Sequence, residues 1–333
     1  MPYDPSYHAM VRVDKIRKII KDIRPDVLEI HSPYGAALGC LTVRRDLFGI
    51  RTFQWHSDFI DTYTGALLGS PWGRGASKLW VEGAMEAGGR VLWRGVRAIG
   101  MRCDATLVAA RGQAEKLAAH GVPRVRHLPF GIEREVFAPS RRDPRRRDAL
   151  LAGRPGPLVV AIGRFAVEKR WDVVLDAFVR FRERRPGVLV VLGDGPERSR
   201  LERRLGRRDD VTFPGFVRDR VDLATTLASA DVLLHGCPFE TFGLSIAEAL
   251  ASGLPCVVPD AGGAGELADG DACVTYPALD AGAAAVILAR LLARDAGELR
   301  DAAARRGARL PGIEDQVRTQ VALYEELLER RRR

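Results

Sequence analysis

The chain has 333 residues, 46% hydrophobic and 29% charged, enough to bury a core in each of two domains. No apolar run reaches the length of a membrane span, the opening MPYDPSYHAM carries no basic-then-apolar leader pattern, and the five cysteines (Cys40, Cys103, Cys237, Cys256, Cys273) form no C-x-x-C pair. These features argue against a spanning helix, a secretory leader, a zinc site and a disulfide framework, and they fit a reducing cytoplasm. The net charge of +9 falls wholly in residues 1–150, which hold 25 Lys+Arg against 16 Asp+Glu, while residues 151–333 hold 27 of each. An electropositive half attracts phosphates, anionic headgroups or nucleic acid; the competing reading is an arginine-rich, soluble surface, and 141-RRDPRRRD-148 reads as a solvated linker.

In chain order, the pattern predicts a helix near 12–23, a strand at DVLEIH (26–31), a helix near 36–48 and a strand at RTFQWH (51–56). A long helical region (75–100), a strand at DATLVAA (104–110), a helix near 112–120 and a strand at VRHLPF (125–130) follow. A Pro- and Arg-rich stretch then divides the chain. Beyond it, PLVVAIG (157–163), VLVVLG (188–193), VTF (211–213), DVLLH (231–235), PCVVP (255–259) and ACVTY (272–276) read as strands separated by helices. One of these helices, WDVVLDAFVRFRERR, sets Val174, Phe178 and Phe181 on one face. Continuous Val/Ile/Leu strands alternating with helices predict parallel sheets covered on both faces. The expected fold class is therefore α/β, two doubly wound Rossmann-like domains in series, with ligand at the C-terminal strand ends in the cleft. The expected boundaries are 1–138 for the first domain, 139–156 for a linker, 157–311 for the second domain, and 312–333 for a C-terminal helix crossing back to the first.

The chemistry gathers at three strand exits. In 238-PFETFGLSIAEAL-250, Glu240 precedes a turn at Thr241-Phe242-Gly243 and Glu248 lies inside the helix that follows. Free N–H groups at a helix start favour an anion, Gly243 lets it approach the backbone, and the two glutamates can accept hydrogen bonds from hydroxyls on either side of it. A ligand with hydroxyls flanking a diphosphate is a nucleotide sugar. The competing reading makes Glu240 a near-cap residue and Glu248 a solvated helix position. In 163-GRFAVEK-169, Arg164 and Lys169 flank a tight βα loop and can both reach a diphosphate. The loop 193-GDGPE-197 is a further glycine-rich exit, and no Gly-x-Gly-x-x-Gly or Walker element is present.

Taken in order, GRFAVEKRWDVVLDAF, LGDGPER, FPGFV, HGCPFETFGLSIAEALASGLPCVV and DAGGAGEL resemble the nucleotide-binding domain of the GT-B glycosyltransferases, family 4, over about residues 125–275. IHSPYG and FQWHSDFIDTY are similar to the acceptor domain of bacterial α-mannosyl- and α-glucosyltransferases of that family. The resemblance implies a retaining, metal-independent hexosyl transfer, mannose or glucose, from a GDP- or UDP-sugar to a hydroxyl of a lipid, glycan or small molecule. It implies no cofactor beyond that co-substrate. It assigns Arg164 and Lys169 to the donor diphosphate, Gly163 and Gly193 to donor binding, and Glu240 to sugar hydroxyls. The amides of Phe242, Gly243 and Leu244 fall to the phosphates, Glu248 to the ribose, Phe216 and Val217 to the base, and His56 to the donor sugar near the reacting carbon. The catalytic set so implied is His56, Arg164, Lys169 and Glu240, with His31 left as an acceptor-side residue.

The chain departs from the family pattern at its start, where DVLEIH is reached by residue 26. By resemblance the opening strands of the first domain are absent, and an open sheet predicts a homodimer or reduced activity and stability. Trp72, Trp80 and Trp93, with Arg74, Lys78, Arg90, Arg94 and Arg97, form a candidate surface for peripheral contact with the inner face of a membrane; the alternative makes the tryptophans packing residues. No nucleic-acid module is recognisable. The rival functional reading is a catalytically weak or inactive relative that holds nucleotide sugar and needs a partner.

Overall fold

The computed structural model describes residues 12–61, 78–206, 208–268 and 270–333, with side chains in the helix Lys78–Arg102 described from residue 87 onward. The chain forms two compact units. One comprises the chain up to Pro129 together with Glu314–Arg333, and the other comprises Phe130–Ile313.

In the first unit, β1 (Val27–Ile30), β2 (Ile50–Trp55), β3 (Ala105–Val108) and β4 (Val125–His127) form a parallel sheet in sequence order. The central strands β2 and β3 are buried at every position, as a sheet covered on both faces requires. Side-chain alternation sorts β2 into two cores. Phe53 and Trp55 pack with Ile20, Trp93, Val96 and Leu117 from the helices Val13–Ile23 (α1), Lys78–Arg102 (α3) and Arg111–Ala119 (α4). Ile50 packs with Leu107, Leu128 and Leu327 on the other face. Leu327 belongs to the C-terminal helix Ile313–Arg332 (α13), so the end of the chain completes the core of its first unit. The predicted helix near 36–48 is Gly35–Leu41 (α2) followed by a single 3₁₀ turn, Arg45–Leu47. The Thr42 hydroxyl donates to Leu38 O at 2.6 Å and the β-branched pair Thr42-Val43 follows, which ends the helix before the chain turns into β2.

The second unit holds six parallel strands, β5 (Leu158–Ile162), β6 (Val188–Leu192), β7 (Val211–Gly215), β8 (Val232–Leu234), β9 (Cys256–Pro259) and β10 (Cys273–Tyr276), in the order β10-β9-β8-β5-β6-β7. Strand order reverses between β5 and β8, the crevice where a doubly wound sheet receives ligand. The helix Trp171–Arg182 (α6) buries Val174, Phe178 and Phe181 against this sheet. Within the stretch read as a solvated linker, residues 144–151 form a helix (Pro144–Leu151, α5) capped by Asp143. Its arginines are fastened to the second unit: Arg146 to Thr226 at 3.0 Å and Arg147 to Asp231 at 2.6 Å. The run looked solvated because partners distant in sequence are invisible to composition.

Leu327→Ala should remove packing from the α13 face of the first sheet and cost about 2–4 kcal/mol. Urea unfolding of the full chain checks this, with the loss confined to the transition of the first unit.

Candidate functional site

The β5 and β8 exits meet at the reversal point. After β5 the chain turns through Gly163-Arg164 and a 3₁₀ turn, Val167–Lys169, before entering α6. Phe165 is fully buried and Trp171 donates Nε1–H to Arg164 O at 2.9 Å, which fixes the loop. Lys169 Nζ then lies 2.5 Å from Glu240 Oε1 in the β8 exit. His235 Nε2, in a buried ring, stands 3.2 Å from the same oxygen without the alignment of a full hydrogen bond. The His235 carbonyl accepts from Tyr276 OH at 2.7 Å.

Burial works against both charges of the Lys169–Glu240 pair, yet each partner outweighs it for the other. The Glu240 carboxyl is held well below the usual range by the Lys169 charge, with His235 adding to the effect. The Lys169 ammonium, despite desolvation, is held above its ordinary value by Glu240. The pair is ionised at neutral pH.

Glu240 leads into the helix Leu244–Ala251 (α9), whose N-cap Gly243 has φ +94°, a left-handed conformation that favours glycine. Ile246 and Ala247 both return their N–H groups to Gly243 O, at 2.9 and 3.0 Å. The N–H groups of Leu244 and Ser245 precede them and have no intrahelical acceptor. Behind the loop runs DAGGAGEL: Gly263 N–H donates to Glu240 O at 2.7 Å. A Cβ on Gly262 would stand 2.6 Å from Pro238 O, at φ +57°. The glycine pair thus holds up the Glu240 turn, a supporting role that its motif alone does not disclose.

Glu248, deeper in α9, is 4% exposed, which removes the solvated-face alternative. Its Oε1 lies 3.0 Å from Arg220 of helix Arg220–Ser229 (α8), and Arg220 also pairs with Glu133 at 2.9 Å. Burial raises the Glu248 pKa and outweighs the opposing charge of Arg220. Beside these groups lies a hollow of about 360 Å³ whose wall includes Gly163, Arg164, Gly193, Asp194, Phe216 and Val217. Phe216 is 70% exposed and offers an apolar plane.

The sequence-derived set therefore divides. Arg164, Gly163, Gly193, Phe216 and Val217 share the hollow. Lys169 touches Glu240, Phe242-Gly243-Leu244 form the helix mouth, and Glu248 meets Arg220. Arg164 and Lys169 do not present themselves as two adjacent unpaired cations: Arg164 is tied to Glu168 at 2.5 Å. His235, Glu168 and Arg220 were not singled out by sequence, and only their positions at the end of DVLLH, in GRFAVEK and after PGFV pointed towards them. Among the described residues one group, His235, Cys237 and Glu240, brings metal-ligating atoms within 4.8 Å of one another. Lys169 already supplies the counter-charge to Glu240, and burial drives the Cys237 thiol up, away from the thiolate a metal would take. These donors do not suit a cation.

In the first unit, His56 follows β2 and is exposed, with His31 beside it. Trp93 is buried, its ring 3.7 Å from that of His120 and 5.8 Å from that of Trp55, so it is a core residue and leaves the expected membrane-facing surface. Trp72, Arg74 and the side chains of Lys78 and Trp80 lie outside the described residues. Arg90, Arg94 and Arg97 are exposed. No helix among the described residues is long and apolar enough to cross a membrane.

Two family models match: "Glycosyl transferases group 1" over residues 156–294 and "Glycosyl transferase 4-like domain" over residues 1–133. A GDP-mannose-dependent alpha-mannosyltransferase of Mycolicibacterium smegmatis is 32% identical over 253 residues, covering 75% of this chain and 60% of that protein. The GDP-mannose-dependent alpha-(1-6)-phosphatidylinositol dimannoside mannosyltransferase of Mycobacterium tuberculosis is 34% identical over 279 residues, covering 82% and 67%. The matched region thus spans about two thirds or less of these relatives. Among solved structures, sucrose-phosphate synthase from Thermosynechococcus elongatus superposes with a TM-score of 0.74 at 20% identity, covering 97% of this chain and 81% of that one. Anabaena Alr3699/HepE in complex with UDP superposes with 0.71 at 16% identity, covering 94% and 82%. Both share the two-sheet α/β fold.

Lys169→Met should leave Glu240 without its counter-charge and cost about 3 kcal/mol at neutral pH. The depressed Glu240 pKa gives stability present above the ordinary carboxylate range and lost as pH falls through the folded value. The raised Lys169 pKa gives stability present below the ordinary lysine value and lost as pH rises through the folded one. The wild-type advantage over the variant should therefore be largest near pH 7 and shrink towards about pH 4, where the unpaired glutamate takes up a proton. Urea unfolding at the two pH values measures the difference.

Proposed function

This chain belongs to the group 1 (family 4) glycosyltransferases of GT-B fold, and from that premise we propose that it moves mannose from GDP-mannose, with retention, to a hydroxyl of a glycan or glycolipid acceptor. The observation that carries this reading is the Lys169–Glu240 contact at the strand-order reversal, facing a helix mouth and adjoining a hollow with an exposed aromatic wall. Guanine and mannose are supported by the two mycobacterial relatives, both GDP-mannose-dependent mannosyltransferases.

In this reading the base lies in the hollow against Phe216 and Val217, with Arg164 and Gly193 lining the way to the phosphates. The diphosphate rests on the N–H groups at the start of α9. Lys169 has three N–H donors, so it can keep Glu240 and still donate to a phosphate oxygen. Glu240, held ionised, accepts from hexose hydroxyls through its second oxygen. Glu248 and Arg220 take the ribose side. His56, in the first unit, is assigned to the hexose.

The anomeric carbon–oxygen bond breaks as the diphosphate leaves, and negative charge grows on that oxygen in contact with Lys169 and the helix amides. The acceptor hydroxyl attacks from the same face, and its proton passes to the departing phosphate oxygen. No carboxylate acts as nucleophile, unlike the double displacement of a retaining glycosidase. An acceptor with a lipid part would bring the protein to a membrane surface as a peripheral partner.

Saturating GDP should raise Tm, by mass action adding about 2.7 kcal/mol at a hundredfold excess over Kd, while UDP and ADP should not. Mannose should pass from GDP-mannose to phosphatidylinositol dimannoside in mixed micelles. Glu240→Gln should lower kcat by about a hundredfold, and Phe216→Ala should weaken GDP binding by up to about tenfold. A shift with UDP alone would move the donor to a UDP-sugar, and GDP binding without transfer to any acceptor would favour the binding-only alternative.

A further inference from the structure

A separate hollow of the second unit opens between the end of α6 and the helix Ala281–Leu291 (α11). It measures about 580 Å³. That lies within the range of small-ligand sites, about 300–1,000 Å³. None of its lining residues lines the hollow beside Arg164. The two helices share one core, in which Phe178, Phe181, Ala284 and Leu288 are buried. Phe181 also lines the hollow from α6, and α11 contributes Ala285, Val286 and Ala289. Val286 is 46% exposed, an apolar side chain open to the hollow and to solvent.

The rim is cationic. Arg180, Arg184, Arg185 and Arg290 line the same hollow and are all exposed. Arg180 reaches across to α11: a Cβ on Gly282 would stand 4.0 Å from its Nη1. Arg182, in the same stretch, belongs to Asp210 at 2.6 Å. The other four form no ion pair among the described residues. Glu183 is the acid in the lining, so four cations stand against one anion. Asp280, at the start of α11, is taken up in capping, where its Oδ1 accepts from Ala283 N–H at 2.9 Å.

This excess is a local placement. Residues 151–333 hold 27 Lys+Arg and 27 Asp+Glu, so composition alone predicts no positive patch here. Helix ends account for Arg180 and Arg290, each in the last turn of its helix. Arg184 and Arg185 lie beyond α6 and have no such role. Unpaired guanidinium groups side by side repel one another, and a phosphate relieves that repulsion by accepting two parallel N–H bonds from a guanidinium fork. A fully water-soluble anion would gain nothing from Val286 and Ala289, and a purely apolar molecule would gain nothing from the arginines. A phosphoryl group joined to an acyl chain uses both.

We propose that this hollow seats an anionic phospholipid of a bilayer surface, its phosphate held by the arginines and the first methylenes of its acyl chain resting on Ala285, Val286 and Ala289. The inference does not rest on the donor reading, because binding is measured without nucleotide.

The test is co-flotation of the full chain with phosphatidylcholine vesicles, with and without about 30% phosphatidylglycerol. The chain should float with the anionic vesicles and stay behind with the neutral ones. Arg184→Gln with Arg185→Gln should weaken binding about fivefold for each charge removed. Val286→Gln, which leaves the charge unchanged, should weaken it about threefold. Arg332→Gln with Arg333→Gln, at the exposed end of the chain, removes the same charge and should change binding less than about twofold. Circular dichroism and urea unfolding confirm that each variant folds; should the Arg184 and Arg185 pair not fold, Arg180→Gln with Arg290→Gln carries the test. Equal loss in the Arg332 and Arg333 control assigns the binding to overall charge and overturns the site. An unchanged Val286→Gln overturns the seat for an acyl chain. Equal binding to neutral vesicles, or full release by inorganic phosphate alone, overturns the anionic lipid. Vesicle binding by a chain that GDP does not stabilise counts against the donor reading and leaves this site standing.

Discussion

One ion pair governs the geometry of the second unit's ligand end. Lys169 and Glu240 come from loops after different strands, and their 2.5 Å contact ties those loops across the point where strand order reverses. Neither group can leave without stranding a largely enclosed charge, which costs far more than a surface ion pair is worth. The rest follows from this constraint. Glu240 fixes the turn, Gly263 holds the turn from behind, and Gly243 then starts α9. The helix mouth proposed for the anion is thereby organised by the chain's own contacts.

The charges around that site are closely matched. Arg164 faces Glu168, Lys169 faces Glu240, and Arg220 stands between Glu133 and Glu248. No bare cationic couple stands at this end of the sheet. On the proposed reading, a diphosphate would meet amides at a helix start and cations that divide their donors between a carboxylate and a phosphate. Such a site discriminates by geometry more than by net charge, because each donor it turns towards a ligand is balanced by a carboxylate already in place. The nine-charge excess of residues 1–150 plays no part in this balance, since every member of these pairs except Glu133 lies beyond residue 150.

The strands were legible because a run such as LVVAI or VLVVL has few other stable placements in a chain of this length. The turn after DVLLH was legible because glycine and a helix start share a local pattern. Pairings across the sheet were not. Glu248 and Arg220 are separated by a helix and a strand, and only the sheet order brings them together. Trp93 was readable in principle: Trp93, Val96 and Ile99 recur at helical spacing and are buried together, a stronger signal than the arginines between them. The run 141–148 misled for the opposite reason, since Arg146 and Arg147 look solvated until Thr226 and Asp231 fold against them.

In the first unit, apolar packing and the fixing of a polar row share one element. α13 fills the second face of the sheet with Leu327, and from the same helix Gln320 and Tyr324 reach Glu29. Glu29 stands at one end of the row that leads through His31 to His56. The side chain farthest along the sequence in that row thus sits 295 residues from the carboxylate it orients. Docking of α13 covers the apolar face and fixes the Glu29 carboxylate in one act. Loosening α13 would take Leu327 from the face of the sheet and both Gln320 and Tyr324 from Glu29 together, so apolar packing and polar order in this unit are lost at one place.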